Sequence, residues 1–370
     1  MTEPVLFRTE STASGYSIGV ATLNSPKSLN SLSLDMIDLL LPQLLRWQDD
    51  DNVVAVWLEG EGEKAFCAGG DIVRMYQSMV DTPAGERNCY IENFFSQEYQ
   101  LDYLLHTYAK PVICWGHGIV MGGGLGLLSG CSHRVVTERC RIAMPEITIG
   151  LHPDVGGSWF LSRMPGRSGL FLGLTGAQVN AADALYVGLA DRVIEGQAKG
   201  EVFAELQTLS LSKSLDDNTQ QISALLRRHE LALDKLPQSA LRQHFDEINS
   251  LCDADTLAEV VANIVNYSGD DEWMSKAAKT LSRGCAQTAW LVWEGQKRVK
   301  HLSLAQAFRM EWNMSVTCAA RGDFQEGVRA LLIDKDGKPA FRFARVDDVP
   351  SDYINEFFKD AVQPHPLEDL

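Results

Sequence analysis

The 370-residue sequence has little positive charge, no CxxC cysteine pair and no apolar run long enough to cross a membrane. Its 33 Lys and Arg residues are outnumbered by 49 Asp and Glu residues, which gives a formal net charge of -16. Such a surface repels phosphate-rich polymers and anionic lipids, so we expect neither nucleic acid nor membrane as a partner. A phosphorylated small molecule would need a local cluster of Lys and Arg.

The eight cysteines are scattered and mostly lie among apolar neighbours. This pattern is typical of buried free thiols in a reducing compartment. The eight histidines are dispersed as well, so no zinc or other metal site is expected. The N-terminus has no basic segment followed by an apolar one, as a signal peptide would have. These features predict a cytoplasmic protein without a bound metal.

Nucleotide-binding glycine motifs are also missing, although glycines cluster around the run Gly122–Gly124. A dinucleotide fingerprint would need a glycine where Leu127 or Ser129 stands, and no Gly-Lys-Ser/Thr of a P-loop follows. The run comes after an apolar strand predicted at 111–115 and opens an apolar helical segment. A helix that begins this way can present bare backbone N–H groups to an anion.

Two acidic residues, Glu146 and Asp154, follow prolines inside mostly apolar sequence. A buried, unpaired carboxylate costs on the order of several kcal/mol, and burial raises its pKa into the range useful for proton transfer. Asp154 could instead cap a helix that begins near Val155. Glu98 lies among apolar residues of a helix predicted over 87–107, where an ordinary surface position is the alternative.

The hydrophobic pattern predicts an α/β fold followed by a helical region. Strands are predicted at 16–23 and 53–58, with a helix capped by Ser33 between them, and this strand-helix-strand crossover implies parallel pairing. Asp71 is predicted to cap a second helix, which follows the glycine turn at 69–70. From about residue 199 helices follow one another, at 199–212, 218–230, 238–248, 255–267, 271–283, 285–299 and 303–320.

Four segments taken together resemble the crotonase (enoyl-CoA hydratase/isomerase) superfamily. They are Ala65–Asp71, Gly122–Gly124, Met144–Glu146 and Pro153–Gly157. The resemblance covers nearly the whole chain. It implies a spiral of β-β-α turns over residues 1–198, and a mainly helical region over 199–370 that serves assembly and site closure. It also implies an acyl-CoA substrate and a homo-oligomer. More narrowly, the chain resembles the superfamily's hydrolases that cleave 3-hydroxyisobutyryl-CoA.

The resemblance implies a role for several backbone groups. The N–H groups of Gly70 and Gly123 would form an oxyanion hole for the thioester carbonyl, and losing one such donor in an enzyme costs roughly 3 kcal/mol. Backbone near Ala68, Gly70 and Asp71 would hold CoA. Lys27 is a candidate for the CoA phosphates, with a solvated turn lysine as the alternative.

The acidic residues distinguish relatives within the superfamily. Its hydratases use two glutamates, and here the first of these positions is occupied by Gly126, whereas the second is Glu146. Asp154 stands where the hydrolases have their second acid, and Glu98 matches a glutamate that would accept a hydrogen bond from the substrate's 3-hydroxyl. The implied reaction is hydrolysis of a 3-hydroxyacyl-CoA in valine breakdown, with no metal or redox cofactor.

Four questions stay open at this point. Glu146 could attack the thioester and form a mixed anhydride, or it could activate water directly. The chain could be an enoyl-CoA hydratase or isomerase of the same superfamily. It could also be a non-catalytic acyl-CoA-binding protein, because a fold does not fix a function. The substrates 3-hydroxyisobutyryl-CoA and 3-hydroxypropionyl-CoA differ by one methyl group, which is worth about 1–3 kcal/mol of discrimination.

Overall fold

A computed structural model describes residues 3–83 and 86–370 of the chain. These divide into two compact units, each assembled from three separate stretches of sequence. Unit 1 comprises Met1–Gly70, Leu101–Ile142 and Val179–Ser239, whereas unit 2 comprises Asp71–Gln100, Ala143–Gln178 and Ala240–Leu370. Within the described ranges, no helix is both long and apolar enough to cross a membrane.

The described residues form nine strands in two sheets. The strands are β1 (Val5–Ser11), β2 (Ser17–Leu23), β3 (Val53–Gly60), β4 (Ala65–Cys67), β5 (Val112–Gly116), β6 (Ile119–Met121), β7 (His133–Thr137), β8 (Arg141–Ala143) and β9 (Arg192–Ile194). The larger sheet has the order β1-β2-β3-β5-β7-β9, and the smaller has the order β4-β6-β8. In the larger sheet only β1 and β2 pair antiparallel, and the remaining pairs are parallel.

Seventeen α-helices occur in the same described ranges. They are α1 (Leu34–Asp49), α2 (Ile72–Asp81), α3 (Cys89–His106), α4 (Gly123–Gly130), α5 (Gly157–Leu161), α6 (Ser168–Thr175), α7 (Ala181–Val187), α8 (Lys199–Thr208), α9 (Leu215–Arg228), α10 (Ala240–Gln243), α11 (Phe245–Leu251), α12 (Leu257–Val265), α13 (Glu272–Arg283), α14 (Ala286–Val299), α15 (Leu304–Arg321), α16 (Asp323–Val328) and α17 (Ser351–Asn355). A π-helix spans Arg329–Ile333.

The chain alternates between the two sheets. It passes from β3 to β4, from β5 to β6 and from β7 to β8, and helices follow each of these strand pairs. Each such turn adds one strand to the larger sheet and one to the smaller. This repeated β-β-α turn is the spiral that the family resemblance implies.

One hydrophobic cluster of unit 1 packs strands of the larger sheet against helices α8 and α9. The strands that form it are rich in β-branched and aromatic residues, and all eight residues of β3 are buried. Trp57 of β3 stacks on Trp115 of β5 with ring centroids 5.6 Å apart. Side chains of α8 and α9, among them Val202 and Ile222, complete this core. Residues 199–239 therefore belong to the sheet unit by packing, and the predicted division at residue 198 stays a prediction.

In unit 2, α3 and α15 are joined by aromatic contacts. The ring of Tyr99 lies 5.6 Å from that of Phe95 and 5.8 Å from that of Phe308, measured between centroids. The indole N–H of Trp312 donates to the hydroxyl of Ser96 at 2.9 Å. Tyr99 is buried by these contacts, and Glu98, which precedes it on α3, is buried as well.

Candidate active site

Glycine allows the end of β4 and the start of α4 to lie side by side in unit 1. A Cβ placed on Gly69 would lie 3.4 Å from the carbonyl oxygen of Met121, and Gly69 has a φ of +113°. A Cβ on Gly124 would lie only 2.3 Å from the carbonyl oxygen of Cys67. Larger residues could not preserve this approach. The two glycine segments that the sequence singled out are therefore neighbours.

Gly70 and Gly123 both present backbone amides that suit an anion. Gly123 is the first residue of α4, so its N–H has no acceptor within the helix. Gly70 bridges Leu32 in parallel register, and the amide of Leu32 donates to the carbonyl of Gly69 at 2.8 Å. In this parallel bridge Leu32 bonds to the neighbours of Gly70, so the N–H of Gly70 itself points away from Leu32. The oxyanion role of both amides stays a prediction.

The residues predicted to hold CoA are found in three different settings. Lys27 is exposed in a short turn, so it is accessible to a ligand and to solvent alike. The amide of Ala68 already donates to the carbonyl of Leu29 at 3.1 Å. The carboxylate of Asp71 accepts a hydrogen bond from the amide of Arg74, which confirms Asp71 as the N-cap of α2. Their contacts with CoA stay predictions.

Glu146 is a buried acid in unit 2. It begins a single turn of 3-10 helix, Glu146–Thr148, and only 4% of its surface is exposed. Among the described residues, its Oε2 atom has no hydrogen-bond partner. Burial, together with the nearby carboxylate of Asp154, raises the pKa of Glu146 well above its usual value. Such a carboxylate is a strong proton acceptor once ionised.

Asp154 is a second buried acid of unit 2. Its Oδ2 atom lies 2.7 Å from the hydroxyl oxygen of Tyr99. Burial raises the pKa of Asp154 to about 7, although its hydrogen bond with Tyr99 acts in the opposite direction. The helix-capping alternative is wrong, because α5 begins at Gly157 with Gly156 as its cap and has no side-chain cap. The carboxyl of Asp154 is therefore available for another role.

The loop that carries Asp154 has an unusual backbone. Val155 has a φ of +53° and Gly156 a φ of +85°, so two successive residues are left-handed. A β-branched residue rarely adopts this conformation, and such strain concentrates at functional sites. Both oxygens of Glu311 accept hydrogen bonds from this loop, from the amides of Gly156 at 2.7 Å and Ser158 at 2.8 Å.

Glu98 is buried, so the surface alternative is wrong. It precedes Tyr99 on α3, and the pKa of the Tyr99 hydroxyl is raised by burial and by the carboxylates of Asp154, Glu311 and Glu98. Glu146 in turn feels the charge of Asp154. Unit 2 therefore brings the predicted acids Glu98, Glu146 and Asp154 into one electrostatic cluster, together with Glu311.

Sequence reasoning missed Glu311 and three polar residues that are connected to Asp154. These are Tyr99, whose hydroxyl lies 2.7 Å from Asp154, Ser315, whose hydroxyl lies 2.7 Å from that of Tyr99, and His152, whose Nε2 atom lies 3.0 Å from Ser315 Oγ. Glu311 lies directly before Trp312 on a long helix, and a buried acid there has the same local signal as a surface one. A hydroxyl such as Ser315 gives no signal at all, because serine is common on every face of a helix.

A serine nucleophile is not supported by the one Gly-x-Ser-x-Gly sequence that the chain contains. That sequence runs from Gly15 to Gly19 around Ser17. Ser17 opens β2 and faces Ser11 in the antiparallel pair with β1. A nucleophile elbow requires a sharp turn from a strand into a helix, so the motif is structural here.

The described part of the chain, residues 3–83 and 86–370, contains no group of three or more His, Cys, Asp or Glu side chains that could hold a metal ion. All eight cysteines are free thiols, and seven of them are buried. Unit 2 also contains a cavity of about 740 Å³, lined among others by Met79, Ile91 and Val316. Glu98, Glu146 and Asp154 are not among its described lining residues, so this cavity is distinct from the acid cluster.

A model of the enoyl-CoA hydratase/isomerase family matches residues 18–358. The chain belongs to this family. It is 36% identical over 341 residues to a protein of Xenopus tropicalis named 3-hydroxyisobutyryl-CoA hydrolase, mitochondrial, with 92% of this chain and 86% of that protein covered. The human protein of the same name is 34% identical over 345 residues, with the same coverage.

Solved structures of family members share the fold. A carnitinyl-CoA dehydratase from Mycobacterium thermoresistibile is 32% identical, with a TM-score of 0.85 over 99% of this chain and 98% of that one. An enoyl-CoA hydratase from Rhodobacter sphaeroides 2.4.1 is 31% identical, with a TM-score of 0.83 over 97% of this chain and 98% of that one. The predicted family and the predicted α/β spiral fold with its helical C-terminal region are therefore confirmed. The curated relatives are named hydrolases, whereas the solved structures are named a dehydratase and a hydratase. The residues of the site therefore have to distinguish between these reactions.

Proposed function

We propose that this protein is an acyl-CoA thioester hydrolase that cleaves 3-hydroxyisobutyryl-CoA to 3-hydroxyisobutyrate and CoA, a step of valine breakdown. The names of the curated relatives support this assignment. The observation that carries it is the buried carboxyl of Glu146, whose Oε2 atom has no partner among the described residues and which lies beside the carboxyl of Asp154. These are the two acids that the hydrolases of the superfamily have.

The proposed mechanism begins at the thioester carbonyl. The amides of Gly70 and Gly123 donate hydrogen bonds to its oxygen and stabilise the negative charge that develops there. Glu146 then acts in one of two ways. It removes a proton from water while the water oxygen attacks the carbonyl carbon, or its own oxygen attacks and forms a mixed anhydride that water later cleaves. In both routes the C–S bond breaks, and the CoA sulfur leaves as a thiolate that takes up a proton.

The two routes leave different traces on Glu146. Rapid quenching with borohydride during turnover would reduce an acyl anhydride of Glu146 to an alcohol, which peptide mass spectrometry detects as a mass loss at this residue. The direct route leaves Glu146 unmodified under the same conditions. Neither route requires a metal or redox cofactor, because the carboxylate and the backbone donors supply the chemistry.

Two further acids have proposed roles. Asp154 assists by positioning Glu146 or the water, or by binding the acyl hydroxyl. Glu98 accepts a hydrogen bond from the substrate's 3-hydroxyl, which makes the site selective for hydroxylated acyl groups. We keep Ala68, Asp71 and Lys27 as candidate CoA contacts. Lys27→Ala tests the phosphate contact, because loss of this contact should raise the KM for the acyl-CoA.

The second candidate function is hydration of an enoyl-CoA, which the names of the solved relatives favour. Hydratases of the superfamily use a glutamate on the helix after the glycine run. That position is Gly126, which lies buried in α4 and has no side chain. With one of the two acids missing, hydration lacks a proton donor or acceptor. A non-catalytic role is disfavoured because the strained loop around Asp154 is costly to maintain in a simple binding protein.

The deciding experiment follows release of free thiol from 3-hydroxyisobutyryl-CoA with a thiol reagent. Wild-type protein should release thiol rapidly, and Glu146→Gln should not. Glu272→Gln, an exposed position on α13, serves as the matched control and should behave as wild type. Well-folded wild-type protein that releases no thiol, but hydrates crotonyl-CoA, would replace the hydrolase proposal by the hydratase.

Compartment and assembly remain proposals as well. The curated relatives carry the word mitochondrial in their names, and that word describes those proteins. The cytoplasmic location predicted for this chain is tested by fractionation of the source cells. A homo-oligomer is expected from the family resemblance, and sedimentation velocity measures it directly.

A further inference from the structure

Four buried groups of unit 2 form a continuous chain of hydrogen-bond contacts that starts at Asp154. Asp154 Oδ2 lies 2.7 Å from Tyr99 Oη, and Tyr99 Oη lies 2.7 Å from Ser315 Oγ. Ser315 Oγ lies 3.0 Å from His152 Nε2, and the opposite ring nitrogen, Nδ1, lies 3.1 Å from the carbonyl oxygen of Pro153. All four side chains are buried, so solvent cannot readily supply a missing proton.

Each of these four contacts can contain a hydrogen only if the four side chains together carry one extra proton. The extra proton is counted relative to an ionised Asp154, an un-ionised Tyr99 and Ser315, and a neutral His152. The carbonyl of Pro153 only accepts, so Nδ1 of His152 must carry a proton. A neutral His152 then accepts at Nε2 from Ser315. Ser315 donates its single hydroxyl proton to His152, so it must accept a hydrogen bond from Tyr99. Tyr99 must then accept a hydrogen bond from Asp154. Asp154 can donate only when its carboxyl is protonated.

The alternative placement of the extra proton is on the ring of His152. In that state the imidazolium donates to Ser315, Ser315 donates to Tyr99, and Tyr99 donates to an ionised Asp154. Moving the proton between the two ends therefore reverses the three bonds from Asp154 to His152, whereas Nδ1 of His152 donates to Pro153 in both states. The number of protons and the net charge stay the same. Without the extra proton, one of the four contacts has no hydrogen.

We propose that Tyr99, Ser315 and His152 are positioning residues that hold Asp154 in its protonated form in the resting enzyme and take up that proton when Asp154 must act as a carboxylate. Asp154 can then supply a proton to the departing sulfur or accept one from water without exchange with solvent. This catalytic consequence rests on the proposed hydrolase function. The protonation of the hydrogen-bond chain does not depend on that function.

The electrostatic surroundings favour the extra proton and place it at Asp154. The groups whose charges interact with this chain are the carboxyls of Glu98, Glu146 and Glu311 and the thiol of Cys318. A surplus of carboxyls favours proton uptake. Burial lowers the pKa of His152 to about 4, although the main-chain carbonyls of Pro153 and Glu311 oppose this shift. Burial raises the pKa of Asp154 to about 7.

The bond directions give opposite signs for two substitutions. Ser315→Ala frees the hydroxyl proton of Tyr99 to point at Asp154, which stabilises the carboxylate and lowers the pH at which Asp154 ionises. Tyr99→Phe removes the donor altogether and leaves the buried carboxylate without this partner, which raises that pH. A purely structural role of these residues would not produce shifts of opposite sign.

The test is an infrared titration of the protein without substrate. The band of a protonated carboxyl, assigned by its loss in Asp154→Asn, should titrate about one pH unit lower in Ser315→Ala and about one pH unit higher in Tyr99→Phe. Ser168→Ala is the matched control, because Ser168 is also fully buried in unit 2 and its hydroxyl has no hydrogen-bond partner within the described ranges. Nitrogen NMR should also show His152 as the neutral tautomer protonated at Nδ1.

Unchanged midpoints, or midpoints that move in the same direction in both variants, would overturn the proposal. So would a His152 ring protonated only at Nε2. Because this titration uses no substrate, its result is independent of whether the protein hydrolyses thioesters. If the hydrogen-bond chain carries its extra proton but thiol release is absent, the hydrolase proposal is rejected. The proposal about the hydrogen-bond chain is then still supported.

Discussion

Glu311 accepts a hydrogen bond from the backbone amide of Gly156 at 2.7 Å, although its carboxyl is completely buried. One helix side chain thereby fixes the strained loop that carries Asp154. The hydroxyl of Thr288, on the neighbouring helix, donates to the carbonyl of Leu151 at the start of the same loop. The left-handed Val155 persists because these external bonds over-determine the loop.

We expect Glu311→Gln to loosen this loop. A carboxamide offers one oxygen and one NH₂ group, and the NH₂ group would face a backbone amide that also donates. One buried amide is then left without an acceptor, which costs about 1–3 kcal/mol in the free energy of unfolding. The rate of thiol release should fall more than tenfold, because Asp154 is displaced. Urea unfolding and the thiol assay measure the two effects.

The matched control for this substitution is Glu272→Gln. Glu272 is an exposed residue in the first turn of α13, so its replacement should change the free energy of unfolding by less than about 0.5 kcal/mol. Wild-type stability and activity in Glu311→Gln would show that the two hydrogen bonds of this carboxyl do not hold the loop.

Gly124→Ala should disturb the glycine segment of unit 1. The new Cβ would lie 2.3 Å from the carbonyl oxygen of Cys67, a backbone atom that cannot rotate away. Overpacking of this kind costs about 1–3 kcal/mol, and the start of α4 must shift. Gly200→Ala is the control, since its Cβ meets nothing within 4 Å and alanine favours the helix α8. Equal effects of the two substitutions on the free energy of unfolding and on thiol release would contradict the prediction that Gly124→Ala displaces the start of α4.

Much of the local structure could be predicted from the sequence. The caps Ser33 and Asp71 were identified because short polar side chains before an apolar period give a direct signal. The long helices of the second half were predicted to within a few residues. In contrast, the three-residue strands β4 and β6 were not predicted, because their pairing depends on distant segments of the chain.

The candidate site was only partly predictable for a related reason. Glu146 and Asp154 stand out because acids in apolar sequence are unusual. The partners that define their chemistry lie far along the chain, as Tyr99 lies 55 positions before Asp154 and Ser315 lies 163 positions after His152. No local pattern connects residues at such distances. The fold alone brings them together, and the resemblance to a family supplied the residue roles that periodicity could not.

The stability of the protein should depend on pH through Asp154. Its pKa is about 7 in the folded protein against an ordinary 3.8, so between these values the folded state binds more protons than the unfolded state. The free energy of unfolding must therefore fall as the pH rises through this window. Asp154→Asn has no group to titrate there, and its stability should fall less between about pH 5 and about pH 7.5. Urea unfolding at several pH values measures both slopes.

An exposed acid provides the control for this dependence. Asp234→Asn should leave the pH dependence of stability as it is in wild type, because Asp234 lies on the surface. The raised pKa of Glu146 acts in the same direction as that of Asp154, so some dependence will persist in Asp154→Asn. Parallel slopes for wild type and Asp154→Asn would argue against a protonated Asp154 in the native state.

Glu98 should set the preference for hydroxylated acyl groups. A buried acceptor that bonds the substrate's 3-hydroxyl is left without this partner when isobutyryl-CoA binds, and such a site rejects the deoxy analogue strongly. The ratio of kcat/KM for 3-hydroxyisobutyryl-CoA over isobutyryl-CoA should therefore be large in wild type. It should fall at least about tenfold in Glu98→Gln, mostly through slower turnover of the hydroxylated substrate. Glu272→Gln should keep the wild-type ratio. If Glu98→Gln slows both substrates equally, Glu98 supports the fold or the acid cluster and does not read the hydroxyl.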